Sequence, residues 1–289
     1  MKHLSSTSWL LSVLVLLCGC GGGGITSDSN SRPSARPIMG PTSDPAPQVL
    51  SSVSNWQFSA TSTVSGMPSL TIAGGITQSG SSVSGTVHVD GSSCFDRLTA
   101  ISLTGTVTGD NISLTSTPVA GQVTAFTGSI TDNALTGTFS PGQFTGTYTI
   151  NGGCANGDQG NVTGIKIGYI ANNLNGTFTT SGSGTFDVTG NMAQDAGVSS
   201  EGSFGITGTV SFRTSCFNSG TITRGTFPSN SFIMGRSVAL KIETGNGTLA
   251  FLGTENLSTG EIIGNYTVSG GTCDQNGTAV LVGSSPWDY

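Results

Sequence analysis

The sequence has few charged side chains. Asp, Glu, Lys and Arg make up 8% of its 289 residues, against about a quarter in an ordinary globular domain. The formal net charge is −6, and the nine Lys and Arg residues are scattered along the chain. Binding to a nucleic acid backbone, or to anionic lipid by charge, requires a basic patch. We therefore expect no nucleic acid partner.

The chain also lacks helical periodicity and has no long apolar run beyond its first twenty residues. No transmembrane helix is therefore expected. Apolar residues instead alternate with Ser and Thr, as in the runs 101–108 and 144–150. A period of two is typical of antiparallel strands with one wet face. Turns rich in Gly, Asn and Asp recur about every 8–12 residues, which predicts sequential hairpins.

Two similar stretches show that one module occurs twice. Residues 146–154 read Gly-Thr-Tyr-Thr-Ile-Asn-Gly-Gly-Cys, and residues 264–273 read Gly-Asn-Tyr-Thr-Val-Ser-Gly-Gly-Thr-Cys. A Ser-Cys-Phe triplet precedes each stretch farther upstream. The predicted organisation has three parts: β module 1 over 53–169, β module 2 over 172–283, and a C-terminal tail over 284–289.

Glycine recurs on the apolar face inside the predicted strands. The positions include Gly85, Gly105, Gly146, Gly208 and Gly264. Because glycine weakens a flat strand, its recurrence favours sharp coiling or the close approach of a neighbour. The predicted fold class is all-β, with two tandem antiparallel meander β-barrels or, as the alternative, two strongly curved sandwiches.

The N-terminus has the features of an export signal. Lys2 precedes an apolar run at 9–17, which is too short to span a bilayer and fits a secretory signal. The run ends in Leu-Cys-Gly-Cys at 17–20, which resembles the bacterial lipobox. The resemblance implies a lipoprotein signal peptide over 1–19 and a lipid, palmitate included, on Cys20. The alternative is an ordinary cleaved signal without lipid.

The residues after Cys20 suggest an address and a tether. Gly21, rather than Asp, follows the lipidated cysteine, and the lipoprotein resemblance then implies anchoring in the outer membrane, on its periplasmic face or at the cell surface. Residues 20–52 are rich in Gly, Ser, Pro and Thr. Such a segment buries too little apolar surface to fold, so we expect a disordered, flexible linker.

Four cysteines remain outside the signal region, and they allow three pairings. The duplication favours one disulfide in each module. The predicted bonds are Cys94–Cys154 and Cys216–Cys273. An exported chain meets an oxidising compartment, where such bonds persist. Metal binding is the rival interpretation, but no Cys-x-x-Cys spacing is present, so no metal or other cofactor is predicted.

The sequence offers little catalytic chemistry. His88 is the one histidine beyond the predicted signal, and it lies on the polar face of its strand near Asp90. No serine nucleophile motif accompanies it, so we interpret His88 as a solvated strand residue. The turn 156–161 contains Asp158 and has oxygen ligands that Ca²⁺ prefers, but hairpin turns use the same residues. Trp56 is predicted to be a core residue. We predict no catalytic residue and no enzyme activity.

A resemblance to known proteins carries little function with it. Residues 146–158 resemble, and residues 264–277 resemble more loosely, the modules of a family of small bacterial lipoproteins without an assigned activity. These modules end in Gly-Thr-Tyr-x-Val/Ile-x-Gly-Gly-Cys-Ala-x-Gly-Asp. The meander that opens with Trp-Gln-Phe at 56–58 resembles the architecture of avidin and lipocalin barrels.

Two functions are consistent with this sequence. The first is a non-enzymatic, lipid-anchored cell-envelope protein with a structural or surface-interaction role. The second is avidin- or lipocalin-like binding of a small hydrophobic ligand inside a barrel. The expected partners are the membrane, through the N-terminal lipid, and either such a ligand or an envelope component. A lined cavity of about 300 Å³ or more would favour the ligand.

Overall fold

The computed structural model describes residues 53–131, 142–182 and 184–283. Within these ranges the chain forms seventeen β-strands and no helix, and nothing in them could cross a bilayer as a helix. The predicted signal peptide, the proposed lipid site Cys20, the linker and the tail at 284–289 lie outside the described residues. Both barrels fall within one compact unit of the chain.

The first eight strands close into an antiparallel barrel, here called barrel 1. Each strand pairs with the next, and pairing of the first with the eighth closes the ring, with Phe58 opposite Gly164. The strands are β1 (Val53–Ser62), β2 (Leu70–Ser79), β3 (Ser82–Asp90), β4 (Ile101–Thr108), β5 (Asn111–Ser116), β6 (Val123–Thr131), β7 (Gln143–Asn151) and β8 (Gln159–Ile167).

The remaining strands form barrel 2. Eight of them close in the order β10-β9-β17-β16-β15-β14-β12-β11, with β11 pairing back to β10, and the short β13 pairs with β11 and β14. The strands are β9 (Ala171–Thr180), β10 (Thr185–Gln194), β11 (Phe204–Phe212), β12 (Ser219–Ile222), β13 (Phe232–Met234), β14 (Ser237–Thr244), β15 (Gly247–Asn256), β16 (Glu261–Ser269) and β17 (Gln275–Gly283). The barrel prediction is thus confirmed, and the sandwich alternative is wrong.

Each barrel has its own apolar core. Along β4 the apolar side chains of Ile101, Leu103 and Val107 are buried while the intervening Ser and Thr are exposed, as period-two alternation requires. In barrel 1 Trp56 stacks on Phe58 at 5.7 Å between ring centroids. Burying one such large side chain contributes about 1.5–3 kcal/mol, so the buried side chains stabilise each barrel.

The strand glycines allow neighbouring strands to approach closely. A Cβ at Gly105 would overlap the Ser113 carbonyl on β5, and one at Gly146 would overlap the Thr127 carbonyl on β6. Close approach is one of the two roles that the sequence predicted for these residues. The packing of these neighbouring strands depends on it, because any larger residue would push the two backbones apart.

One disulfide lies in each barrel, with the predicted pairing. The Cα atoms of Cys94 and Cys154 are 5.6 Å apart, and those of Cys216 and Cys273 are 5.7 Å apart. In barrel 1 the bond joins the loop after β3 to the loop after β7, and in barrel 2 it joins the loop after β11 to the loop after β16. The duplication seen in the sequence therefore extends to the cross-links.

An amide side chain supports the disulfide in each barrel. Gln122, which is buried, donates to the Cys94 carbonyl at 2.9 Å and accepts from the Ala155 N–H at 2.9 Å. In barrel 2 Asn246 donates to the Cys216 carbonyl at 3.1 Å and accepts from the Thr272 N–H at 3.2 Å. Both amides satisfy backbone groups of the two bridged loops, as buried polar groups require.

Candidate functional site

The interior of barrel 1 is almost completely filled. An apolar cavity inside it has a volume of about 10 Å³, which is at the lower limit for one water molecule. Its lining is apolar and consists of Trp56, Phe58, Ile72, Ile76, Leu103, Ile112, Leu114, Phe126, Ile130 and Phe144. The predicted core position of Trp56 is confirmed at 1% exposure. The indole N–H of Trp56 has no hydrogen-bond partner.

A buried carboxylate closes the end of the β7–β8 hairpin. Asp158 is 3% exposed and accepts hydrogen bonds from Ser62 Oγ at 2.6 Å and from the Tyr148 hydroxyl at 3.2 Å. Burial raises the pKa of Tyr148, and the charge of Asp158 adds to the rise. Asp158 therefore serves as an acceptor for two hydroxyls. Among the described residues no group of three or more His, Cys, Asp or Glu is placed to hold a metal ion.

Barrel 2 keeps the tyrosine of this arrangement but not its acceptor. Tyr266 holds the position that Tyr148 has in barrel 1, is 1% exposed, and its hydroxyl has no hydrogen-bond partner. Burial raises the pKa of Tyr266. The acidic residue of the second copy, Asp274, is exposed and faces the Gly271 N–H. The two modules thus differ at the hairpin that their shared sequence motif forms.

The outer wall of barrel 1 meets loops at one end of barrel 2. The wall consists of outward-facing positions on β1, β2 and β3 that lie in two rows across the strands. Pairing register places them as Asn55–Gly75–Thr86 in one row and Gln57–Ala73–His88 in the other. We call these six residues, together with the residues of barrel 2 that they contact, the junction.

Direct hydrogen bonds cross the junction. The Asn55 side-chain amide donates to the Gly235 carbonyl at 2.9 Å and accepts from the Gly235 N–H at 2.7 Å. Gln57 Oε1 accepts from the Arg236 N–H at 2.9 Å. The side chains of Asn55 and Gln57 on β1 thus pair with backbone groups of the β13–β14 turn. The two barrels are therefore joined by specific hydrogen bonds.

Small residues make the close approach possible. A Cβ at Gly75 would overlap the Val198 side chain, and one at Gly202 would overlap the Thr86 carbonyl. Gly202 also has a φ of +72°, a backbone conformation that glycine adopts without strain. The middle strand of the wall presents Ala73 and Gly75, and their small size leaves room for the barrel 2 loops.

His88 lies in this junction, and our interpretation of it as a solvated residue is wrong. The side chain is 4% exposed. Its Nδ1 is 3.1 Å from the Arg97 carbonyl oxygen and its Nε2 is 3.0 Å from the Glu201 carbonyl oxygen. The Phe227 ring lies against it, with 4.6 Å between centroids. An outward-facing strand position is usually wet, but here a second barrel covers it.

A buried glutamate that was not predicted from the sequence adjoins the junction. Glu255 is 5% exposed and its Oε2 has no hydrogen-bond partner. Burial raises the pKa of Glu255 to about 7, although the positive charge of Arg236 opposes the rise. Arg236 Nε donates to the Glu255 backbone carbonyl at 2.7 Å. One signal was available: Glu255 continues the inward-facing series Leu249, Phe251, Gly253 on β15.

The outer wall of barrel 2 carries most of the large apolar side chains that are exposed among the described residues. They lie on three consecutive strands and are Leu252, Ile263, Val280 and Val282. Ile263 is directly opposite Val280 in the β16–β17 pairing. Single exposed apolar residues are ordinary, but neighbours on adjacent strands form a patch. An open groove of about 420 Å³, with Asp187 and Arg213 in its lining, adjoins Val280 and Val282.

Comparison with known proteins adds no function. No protein-family model matches the chain, and no curated protein matches it. Among solved structures the chain is similar to kievitone hydratase from Nectria haematococca, at 10% identity over 81% of this chain and 90% of that chain. The TM-score is 0.24, and a likeness at that level carries no argument about fold or activity.

Proposed function

We propose that this chain is a non-enzymatic, lipid-anchored protein of the cell envelope with a structural or surface-interaction role. The observation that carries the proposal is the filled interior of barrel 1, whose apolar cavity has a volume of about 10 Å³. Carriage of a small molecule generally requires a cavity of about 300 Å³ or more. A barrel filled by its own side chains is instead a rigid support for its outer walls.

The construction of the outer surface supports the same proposal. Closed barrels leave no strand edge that could pair with another chain, so contact with an envelope component would involve the walls. Hydroxylated residues cover most strand exteriors, and the apolar patch of Leu252, Ile263, Val280 and Val282 interrupts them on barrel 2. The surface-interaction part of the proposal draws on this patch.

The lipid anchor at Cys20 and the outer-membrane location rest on the N-terminal sequence. We expect labelled palmitate to be incorporated into the wild-type protein and not into Cys20→Ser, which should leave the membrane fraction. Each buried methylene of a lipid chain contributes about 0.8 kcal/mol to anchoring. Gly21→Asp is the matched variant, because it keeps the lipid and should move the protein to the inner membrane. Labelled, membrane-bound Cys20→Ser protein would contradict the anchor.

Ligand binding inside barrel 1 is the second candidate. It is favoured by one observation: the unpartnered indole N–H of Trp56 faces an apolar lining. Native mass spectrometry of protein purified from its host separates the two functions. A co-purified small molecule would support carriage, and its consistent absence would support the structural role.

A positive control makes a negative result informative. Phe58→Ala removes a ring from the middle of the barrel 1 interior and should leave a dry apolar cavity. Such cavities bind benzene-sized molecules. We expect a benzene-sized probe to bind Phe58→Ala and not the wild-type protein. Equal binding by the two proteins would show that the wild-type interior opens, and would overturn the structural proposal.

A further inference from the structure

We propose that His88 is a proton-operated latch between the two barrels: with both ring nitrogens protonated it holds barrel 2 against barrel 1, and loss of one proton loosens the junction. The proposal is independent of the lipid anchor and of any ligand. It rests on the surroundings of one imidazole ring.

Both ring nitrogens of His88 face groups that only accept hydrogen bonds. The partners are the backbone carbonyl oxygens of Arg97 and Glu201, at 3.1 and 3.0 Å. A neutral imidazole has one N–H donor and one lone pair, whereas an imidazolium has two donors. In either neutral tautomer one lone pair therefore faces a carbonyl oxygen. Only the protonated ring satisfies both partners.

The two carbonyls belong to different barrels. Arg97 lies in the loop after β3 of barrel 1, and Glu201 lies in the loop after β10 of barrel 2. The ring therefore bridges the barrels, and the neutral form keeps at most one of the two bonds. Hydrogen bonds that involve a charged group are stronger than those between neutral groups. Because His88 is 4% exposed, water cannot replace the bond that is lost.

The charged groups around the junction do not oppose this behaviour. On β3 itself Asp90 is exposed. Arg97 and Glu201 meet the ring through their backbone.

On the barrel 2 side Asp195 and Arg224 pair with each other at 2.7 Å, which limits the electrostatic field that the two charges exert on the His88 ring. At the other end of the row that contains His88, Arg236 donates its N–H to Gln57 and adjoins Glu255.

Glu255 responds to pH in the same direction as His88. Its burial raises its pKa to about 7, so the carboxyl is neutral in acid and charged above that pH. A charge on Glu255 would be buried without a hydrogen bond at Oε2. Acid therefore favours the assembled junction at both groups, and an experiment on the latch must separate His88 from Glu255.

Ring nitrogen NMR tests the protonation directly on the full chain. His88 is the one histidine beyond the predicted signal peptide, and the ring signal that disappears in His88→Gln identifies it. We expect both ring nitrogens of His88 to carry hydrogens whenever the Gly235 and Arg236 amides are protected, and the loss of one ring N–H to accompany the loss of that protection. A His88 ring with a single N–H in protein whose Gly235 and Arg236 amides stay fully protected would overturn the proposal without any variant having to fold.

Amide exchange tests the consequence for the junction. The N–H groups of Gly235 and Arg236 bond across the junction to Asn55 and Gln57, so their protection reports junction opening. In a Glu255→Gln background we expect protection of these amides, relative to core amides of barrel 1, to fall about tenfold as the His88 ring loses its proton. In Glu255→Gln/His88→Gln this pH dependence should be absent. The same pH dependence in both proteins would overturn the latch.

Discussion

The hydroxyl of Tyr148 lies 3.2 Å from both carboxylate oxygens of Asp158 inside the end of barrel 1. These two residues are the Tyr and the final Asp of the motif that begins at Gly146. The motif therefore encodes a hairpin that a buried hydroxyl–carboxylate contact and a disulfide hold shut. In the second copy Tyr266 is retained without an acceptor, so the same substitution should have different consequences in the two barrels.

Removing the two tyrosine hydroxyls separately measures that difference. Tyr148→Phe breaks a bond to a charged group and should lower the free energy of unfolding by about 1.5–3 kcal/mol. Tyr266→Phe removes a buried hydroxyl that has no partner, and should be neutral or stabilising. Urea unfolding of the two variants under one condition gives the comparison. Equal destabilisation by both would show that the Tyr148–Asp158 contact does not stabilise barrel 1.

The disulfides should stabilise their own barrels. The bonded cysteines are 60 residues apart in barrel 1 and 57 apart in barrel 2, and closing loops of that length contributes ideally about 4 kcal/mol. We expect Cys94→Ala/Cys154→Ala to lose about 2–4 kcal/mol of unfolding free energy, with exchange protection falling first in barrel 1. The matching pair in barrel 2 is the control. A loss spread evenly over both barrels would contradict one independent cross-link per barrel.

Glu255 should make stability depend on pH. Its pKa is raised from 4.5 to about 7 in the folded protein, so the folded state binds the proton more tightly than the unfolded chain. The stability of the protonated form is fully present below pH 4.5 and is lost as pH rises through about 7. The full effect is about 3 kcal/mol.

The measurement compares wild-type protein with Glu255→Gln across this pH range. As pH rises, the wild-type protein should lose unfolding free energy relative to Glu255→Gln. Glu243→Gln is the matched control, because the Glu243 side chain is 46% exposed and pairs with Lys241 at the surface. A wild-type-minus-variant difference that stays constant from acid to neutral pH would contradict the buried position of the Glu255 carboxyl.

Local patterns were sufficient to predict the fold class. Alternation of apolar residues with Ser and Thr specifies which side of a strand faces the interior, as β4 shows. Repetition of one motif with its cysteines specified two modules and the disulfide pairs. Closure into barrels followed from mid-strand glycines such as Gly105, whose close contact with β5 the structure confirms. Each of these signals is carried by residues close in sequence or by an internal repeat.

The junction could not be predicted in this way, because it depends on how two distant parts of the chain meet. Residues 55 and 235 have no pattern in common, and an outward-facing His88 looks the same whether water or a second barrel covers it. Asp158 was equally ambiguous, since hairpin turns and ion-binding loops use the same residue types. The hydrogen bonds that the Ser62 and Tyr148 hydroxyls donate to Asp158 distinguish between those two uses.

Gly75 offers the sharpest test of the junction. Its Cα hydrogens face barrel 2, and a Cβ there would overlap the side chain of Val198. Gly75→Val should therefore force the β10–β11 loop away from the wall and leave the interior of barrel 1 intact. We expect faster amide exchange at Gly235 and Arg236, and a larger radius of gyration by small-angle scattering, with unchanged protection in the core of barrel 1.

A compensating substitution separates a steric effect from a general loss of strand stability. Gly75→Val/Val198→Ala removes the side chain that the new Cβ would meet, so it should recover much of the protection at Gly235. Gly245→Val is the control for adding a β-branched residue where nothing lies within 4 Å, and it should leave the junction closed. If the Gly235 amide is as well protected in Gly75→Val as in the wild-type protein, contact between the wall and the β10–β11 loop does not hold the two barrels together.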